Sequence, residues 1–280
     1  QGERKGPELD QLILASEECD VVNEVICAPA DVKELFEFTE VIFSIGPLGF
    51  TRTIILFFLA AFVVVGLLYF GLRKRRMVPS KFGVVIESLL DFVKNGIAKD
   101  IIGPEGARYV PYLTAIFLFI LVGNLFEVTP LINFPITSRM AIPAFLAIVT
   151  YVIFVFIGFG KNKFRYLFDT VWPKHVPIGL RWLVGLIELV SIFLLRPFTL
   201  AVRLFANMVA GHLMLTLLLG SGVIFLSAFP EIGLKALVGI PWFALGLGIY
   251  LFEIVVSVLQ AYIFTLLSAV YIQSSVHFEH

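Results

Sequence analysis

The stretch "TLAVRLFANMVAGHLMLTLLLG", residues 199–220, decides the fold. It is apolar enough to lie in the hydrocarbon core of a bilayer, yet it carries an arginine, an asparagine and a histidine. It belongs to a longer apolar run, and runs of more than about 18 apolar residues are typical of transmembrane helices. The sequence therefore predicts an integral membrane protein with polar groups inside the membrane.

Composition supports the same class along the whole chain. The 280 residues are 59% apolar and 15% charged, whereas about a quarter of the residues in a soluble domain are charged. The apolar runs are too long and continuous for membrane-barrel strands, which alternate over about ten residues. Because the net charge is zero, nothing favours a nucleic-acid partner. We predict an all-α integral membrane protein.

Five apolar segments and one amphipathic segment follow a polar, acidic N-terminal segment of residues 1–50, and together they make a membrane domain of residues 51–280. The predicted spans are 53–72, 109–130, 141–160, 182–220 and 242–274, and the predicted interfacial helix is 80–102. At about 1.5 Å per residue, the last two spans exceed the roughly 30 Å hydrocarbon thickness, so we expect them to be long and tilted. Pro197 is expected to bend the first of these two.

Basic residues set the predicted orientation, because basic loops mark the cytoplasmic side, or the matrix side in an organelle. They form two groups on one side of the predicted spans: Arg73, Lys74, Arg75 and Arg76, and Lys161, Lys163, Arg165, Lys174 and Arg181. The N-terminus is then outside and the C-terminus inside. Cys19 and Cys27 lie outside, where an oxidising environment would permit a disulfide; two unpaired thiols are the alternative.

Polar side chains cluster in the spans, although each ionisable group there costs about 2.5–3.5 kcal/mol on insertion scales. They are Glu188, Arg196, Arg203, Asn207 and His212 in span 182–220, Glu253, Ser257 and Gln260 in span 242–274, and Asn124 and Glu127 in span 109–130. Ordinary explanations exist for many of them: amides link helices, Arg196 can snorkel, and the glutamates Glu127 and Glu188 can meet solvent at the span ends. Arg203, about twenty residues into its run, resists such an explanation.

Helical spacing arranges these groups in layers when the last two spans are set antiparallel. Arg203 and Gln260 then form a mid-membrane layer, and His212 and Glu253 form an outer layer. Glu188 lies roughly 22 Å to the inner side of Arg203. Glutamate and histidine exchange protons and arginine does not, so the pattern favours a proton route divided by a fixed charge. No carboxylate of this chain is expected opposite Arg203, so its acid is expected from another subunit.

Two segments, "RPFTLAVRLFANMVAGH" (196–212) and "EIVVSVLQAYIFTLLSAVYI" (253–272), resemble subunit a of the F-type ATP synthase, the proton-channel subunit of its membrane sector. The resemblance extends over roughly residues 40–275. It implies that Arg203 is the essential arginine, with Asn207 and Gln260 beside it, and that His212 and Glu253 are the outer half-channel pair. Glu188 is similar to the inner-channel glutamate. Asn124 and Glu127 match an Asn-x-x-acid pattern, and we include Ser257 in the same proton path.

The resemblance also implies the partners. A stator of this kind offers two offset half-channels to the carboxylates of a rotating c-subunit ring, beside a b-subunit peripheral stalk and other subunits, with H⁺ as the translocated ion. The chain would act as part of a translocase without nucleotide chemistry, since it has no G-x-x-x-x-G-K-[ST] motif. No cofactor or metal site is expected. We expect a bacterial plasma membrane, with the mitochondrial inner membrane as the alternative.

Two other functions compete with this one. A self-contained channel or secondary transporter would need an acid facing Arg203 within the chain, or repeated halves, and the sequence indicates neither. A purely structural membrane subunit would leave Arg203, His212 and Glu253 unexplained.

Overall fold

The computed structural model describes residues 25–27, 41–45, 48–72, 81–129, 132, 136–162 and 180–276. A short hairpin, which sequence analysis did not predict, opens the membrane domain: β1 (Val41–Ile45) pairs antiparallel with β2 (Leu48–Thr51). All other regular structure in these ranges is helical, which confirms the predicted all-α membrane class. The basic residues 73–76, 163, 165 and 174 lie outside the described residues, as does Cys19.

The first half of the chain forms three apolar or amphipathic helical runs and a fourth long helix. They are α1 (Arg52–Leu72), α2 (Lys81–Val93) with its π-helical continuation Lys94–Ile102 and the 3-10 turn Pro104–Arg108, α3 (Val110–Leu125), and α4 (Ala141–Asn162) after the 3-10 turn Ile136–Ser138. Ile86 of α2 packs against Gly71 of α1, where a Cβ would lie 2.8 Å from the isoleucine side chain. The α2 helix is thereby attached to the membrane helices.

The second half is dominated by two long helical runs. Their parts are α5 (Arg181–Val190), the π-helical segment Ser191–Leu195, α6 (Arg196–Ser227), the short α7 (Phe229–Ile232), the 3-10 segment Gly233–Val238 and α8 (Gly239–Val276). The structure thus extends α6 seven residues beyond the predicted end at residue 220.

Four helical runs in the described ranges are long and apolar enough to cross a membrane: Arg52–Gly71, Ala141–Gly160, Arg181–Ser227 and Gly233–Val276. The last two have 47 and 44 residues. The α3 helix is also apolar but has only 16 residues, and the chain beyond Leu125 continues as a turn rather than as helix. The chain is a multi-pass membrane protein.

Pro197 does not interrupt the run from α5 to α6. A proline has no N–H to donate, and its ring crowds the carbonyl four residues earlier, here that of Phe193. The π-helical segment Ser191–Leu195 surrounds that carbonyl, and the Arg196 N–H bonds to Ser191 O, five residues back. The wider π turn accommodates the proline ring, so the helix continues.

The core lies where α8 packs against α3, α4 and α6. The α6 and α8 backbones approach closely: a Cβ on Gly222 would lie 2.7 Å from the Phe243 backbone nitrogen, and one on Gly246 would lie 3.0 Å from that of Leu219. Small residues permit such contact between membrane helices. This tight pair holds most of the predicted site residues.

Candidate functional site

The buried face of α8 carries three of the predicted polar residues. Glu253, Ser257 and Gln260 are 3%, 0% and 5% exposed. Their spacing of four and three residues is one turn each, so they form a single polar stripe inside the helix bundle. The stripe lies on the side of α8 that packs against the other helices.

An acid–imidazole cluster joins the end of α3 to α6 and α8. His212 Nδ1 lies 3.7 Å from Glu127 Oε1, with the two side chains 8% and 0% exposed. The Glu253 carboxylate lies against Gly211, the neighbour of His212: a Cβ there would be 2.5–2.6 Å from both carboxylate oxygens and their carbon. Glu127 and Glu253 are also near enough to repel each other when ionised. The cluster thus contains two acids and one base.

The path of the chain after α3 brings Glu127 to this position. The Tyr250 hydroxyl on α8 donates a hydrogen bond to the backbone carbonyl of Val128, one residue after Glu127. Tyr250 is three residues before Glu253 and therefore on nearly the same face of α8. This bond holds the turn against α8 beside the cluster.

Asn124 is oriented by a residue that sequence analysis missed. Thr137 Oγ1 donates to Asn124 Oδ1 at 2.9 Å, and both residues are buried. Thr137 belongs to the turn Ile136–Ser138, which inserts into the interior and is entirely buried. No sequence pattern indicates this contact, because a polar residue in a Pro-rich turn predicts exposure.

Several buried polar atoms of the predicted site residues have no hydrogen-bond partner within the described part of the chain. They are Asn124 Nδ2, both Glu127 oxygens, Asn207 Nδ2, Glu253 Oε1, Ser257 Oγ and Gln260 Nε2. An unpaired buried polar group costs about 1–3 kcal/mol, so it is normally avoided. All of these residues come from the set that the sequence singled out, although Thr53 Oγ1 and Thr114 Oγ1, which do not belong to that set, are also buried without a partner in the described ranges.

Arg203 lies on a different face of α6. Its side chain is exposed, although it sits near the middle of the 47-residue run Arg181–Ser227. Among the described residues, no ion pair or hydrogen bond joins it to a carboxylate or to Gln260. The exposed positions one and two turns along the same face are small, Ala206 and Ala210. A charged side chain and a flat apolar surface therefore face away from the bundle.

The Arg196 side chain contacts residues of α8 instead of extending towards the membrane interface. Its Nη1 donates to Ser274 Oγ at 3.0 Å, and its guanidinium carbon lies 5.2 Å from the centroid of the Tyr271 ring. Such a cation–π contact contributes about 0.5–2 kcal/mol. Arg196 therefore ties the beginning of α6 to the end of α8.

Glu188 and Asn207 are separated from the acid–imidazole cluster. Glu188 is half-buried on α5, about 22 Å along the helix from Arg203. Asn207 is half-buried, one turn after Arg203.

Within the described ranges, no group of three histidines, cysteines or acids is arranged to hold a metal ion.

Comparison with known proteins gives one family. The chain matches the family described as ATP synthase A chain over residues 53–273. It is 40% identical to ATP synthase subunit a of Frankia alni over 231 residues, which cover 81% of this chain and 78% of that protein. It is 36% identical to ATP synthase subunit a of Rhodococcus erythropolis over 239 residues, 85% of this chain and 86% of that protein. The corresponding protein of Streptomyces lividans is 37% identical over 235 residues, 83% and 82% of the two chains.

Proposed function

The chain belongs to the ATP synthase A chain family, and from this membership we propose that it is the stator proton-channel subunit of an F-type ATP synthase. In this role it offers two offset aqueous half-channels to the carboxylates of a rotating c-subunit ring. Protons enter from one side, ride on the ring and leave on the other. Each charge that crosses 100 mV releases about 2.3 kcal/mol, which drives rotation and ATP synthesis in the soluble sector.

The exposed side chain of Arg203 is the single observation that carries the proposal. A charged group that faces hydrocarbon costs at least about 2.5–3.5 kcal/mol, so it needs an anion nearby. The described part of this chain offers it none. At about 4 Å and an effective dielectric near 20, a carboxylate from a neighbour would gain roughly 4 kcal/mol, which favours its ionised form. An acid that passes Arg203 would thus give up its proton.

The acid–imidazole cluster is the proposed outer half-channel. Glu127, His212 and Glu253 are close together and can pass a proton between them, since a proton transfer needs groups within hydrogen-bond reach or one water apart. The unpartnered polar atoms of Asn124 and Ser257 extend the polar lining. Gln260 and Asn207 complete it towards Arg203.

Glu188 is the proposed inner half-channel residue. It lies on the same helical run as Arg203 and about 22 Å away, so the two half-channels are separated along the membrane normal. The guanidinium between them stays protonated and repels hydrated protons. A proton can therefore cross only by way of the rotating carboxylate.

The chain works with other ATP synthase subunits, and we assign the c-ring and the b-subunit peripheral stalk as its contacts. It contributes proton translocation to the complex and carries out no nucleotide chemistry itself. We place it in a bacterial plasma membrane, since the relatives compared above are bacterial. The disulfide at Cys27 supports an N-terminus on the oxidising, outer side, with the C-terminus in the cytoplasm.

Replacing Arg203 tests the proposal. In inverted membrane vesicles, Arg203→Ala is expected to abolish ATP-driven proton pumping and gradient-driven ATP synthesis, while the assembled complex stays at its normal level. Arg108→Ala, at an exposed position at the end of a 3-10 turn, is the matched control and should behave as wild type. Coupled ATP synthesis by the Arg203→Ala complex would refute the proposal.

A further inference from the structure

Residues 25–27 lie across the end of the α6–α8 pair that is nearest the connection between them. The Cys27 N–H donates to Ser221 Oγ at 2.9 Å, and Ser221 Oγ lies 3.3 Å from the Cys27 carbonyl oxygen, to which it donates in turn. Trp242 Nε1 donates to the Val25 carbonyl at 2.9 Å. Ser221 belongs to α6 and Trp242 to α8, so this three-residue segment bridges the two helices.

The Cys27 end of this bridge is buried, whereas the Val25 side chain is exposed. Cys27 packs with Ile224 and Phe225 of α6, and Ile232 and Trp242 cover this small cluster. Cys27 is also disulfide-bonded. The family match begins at residue 53, so the segment lies outside the part of this chain that matches the family.

The helices under this bridge touch backbone to backbone. A Cβ on Gly222 would lie 2.7–2.8 Å from the Phe243 backbone, and one on Gly239 would lie 2.9 Å from the Gly222 carbonyl oxygen. Ser221 is nine residues from His212, and Trp242 is eleven from Glu253. These separations are roughly 14 Å and 17 Å along continuous helices, so a change of spacing at the bridge is transmitted to the cluster.

We propose that residues 25–27 form a clip that clamps the outer ends of α6 and α8 and so sets the distance between Glu253 and the Gly211–His212 turn. The hydrogen bonds of the clip do not depend on the proposed function, whereas its effect on proton flux rests on that function. The clip assigns a structural role to a segment that lies outside residues 53–273, which match the family. Since Cys27 is disulfide-bonded, the clip suits the oxidising side of the membrane.

The test uses the complete assembled complex and removes the clip's side-chain contacts. The double variant Ser221→Ala, Trp242→Phe takes away all three hydrogen bonds and keeps an aromatic side chain at position 242. Two matched controls make the same chemical changes elsewhere. They are Ser227→Ala, whose hydroxyl donates within its own helix to Ile224 O, and Trp182→Phe, at a site 62% exposed on α5.

Hydrogen–deuterium exchange measures the clip directly. We expect amide exchange of residues 25–27 and of the first turns of α8 to rise roughly tenfold in the double variant, because lost hydrogen bonds favour local opening. ATP-driven proton pumping in vesicles is expected to fall severalfold. Both controls should match wild type in both measurements.

Each outcome of these two measurements either supports or overturns the proposed clip. Faster exchange together with weaker pumping, in the double variant alone, supports the clip. Unchanged exchange overturns it, and so does faster exchange with normal pumping, because the helix ends would then be independent of the cluster. A wild-type complex that pumps no protons would refute the proposed function instead, and the exchange comparison would still decide whether the segment holds the two helices.

Discussion

Gly211 gives the sharpest prediction, because its missing side chain makes the room in which the Glu253 carboxylate lies. In Gly211→Ala the new Cβ would be 2.5–2.6 Å from three atoms of that carboxylate, against 3.4 Å for ordinary contact. The carboxylate must therefore move by about 0.9 Å. It is the end of a flexible side chain, so it can move without separating the helices. Alanine is also a better helix former than glycine by about 1 kcal/mol, so α6 should remain intact.

The expected effect is on proton transfer and not on folding. A misplacement of about 1 Å in a reacting group can reduce a rate by about 10²-fold. We therefore expect ATP-driven proton pumping by Gly211→Ala vesicles to fall by roughly ten- to a hundredfold. Fluorescence quenching of a pH-sensitive dye measures pumping, and a native gel measures the amount of assembled complex, which should be normal.

Two further variants make this prediction refutable. Gly220→Ala introduces the same methyl group in the same helix at a site with no atom within 4 Å, and it should pump as wild type does. Glu253→Asp shortens the side chain by one methylene and should restore part of the activity in the Gly211→Ala background. Wild-type pumping by Gly211→Ala, or an equal loss in Gly220→Ala, would show that the close packing at Gly211 does not position the carboxylate.

Three other substitutions have outcomes that follow from single contacts. Thr137→Val keeps the side-chain volume but removes the hydrogen bond to Asn124, so we expect the stability of the complex to fall by about 1–3 kcal/mol. The complex should then dissociate at a lower temperature on heating, and an unchanged midpoint would contradict this. Gly222→Ala places a Cβ 2.7–2.8 Å from the Phe243 backbone, which cannot rotate away, so the subunit should fail to assemble, as read from its level in membranes. Arg196→Met removes the hydrogen bond and the cation–π contact with α8 and should lower stability by about 1–2 kcal/mol, measured by heat dissociation on native gels, with wild-type stability as the contrary result.

The helices were predictable because a bilayer permits few alternatives. Backbone groups in hydrocarbon must be bonded within the segment, so a long apolar run is a helix. The end of α6 was less predictable: Gly220 is typical of a helix end, but the helix continues to Ser227. The reason is tertiary, since Gly222 packs directly on the Phe243 backbone and the last turns are held by that contact. The β1–β2 hairpin has strands of five and four residues, too short to give a clear alternating pattern.

The site was predictable only where it lies on helices. Spacing alone puts Glu253 and Gln260 on one face of α8 and indicates His212 near Glu253. It does not place Glu127, which lies two residues beyond the end of α3, in a turn that brings its Oε1 to 3.7 Å from His212 Nδ1. The clip is further from prediction still, because Cys27 and Ser221 are 194 residues apart and no helical period connects them.

The two kinds of polar group in this chain should respond differently to substitution. Glu127 and His212 are buried 3.7 Å apart, so removing either one takes a charged or dipolar neighbour from the other inside the bundle. Such a loss costs about 1–3 kcal/mol and affects stability as well as transport. Arg203 makes no such internal contact in the described part of the chain, so we expect its removal to leave the fold unchanged and, under the proposed function, to affect only the carboxylate of a neighbouring subunit. A loss of transport in Arg203→Ala would therefore test the proposed contact with the rotor directly, whereas a loss in the buried cluster is informative only when the amount of assembled complex is measured beside it.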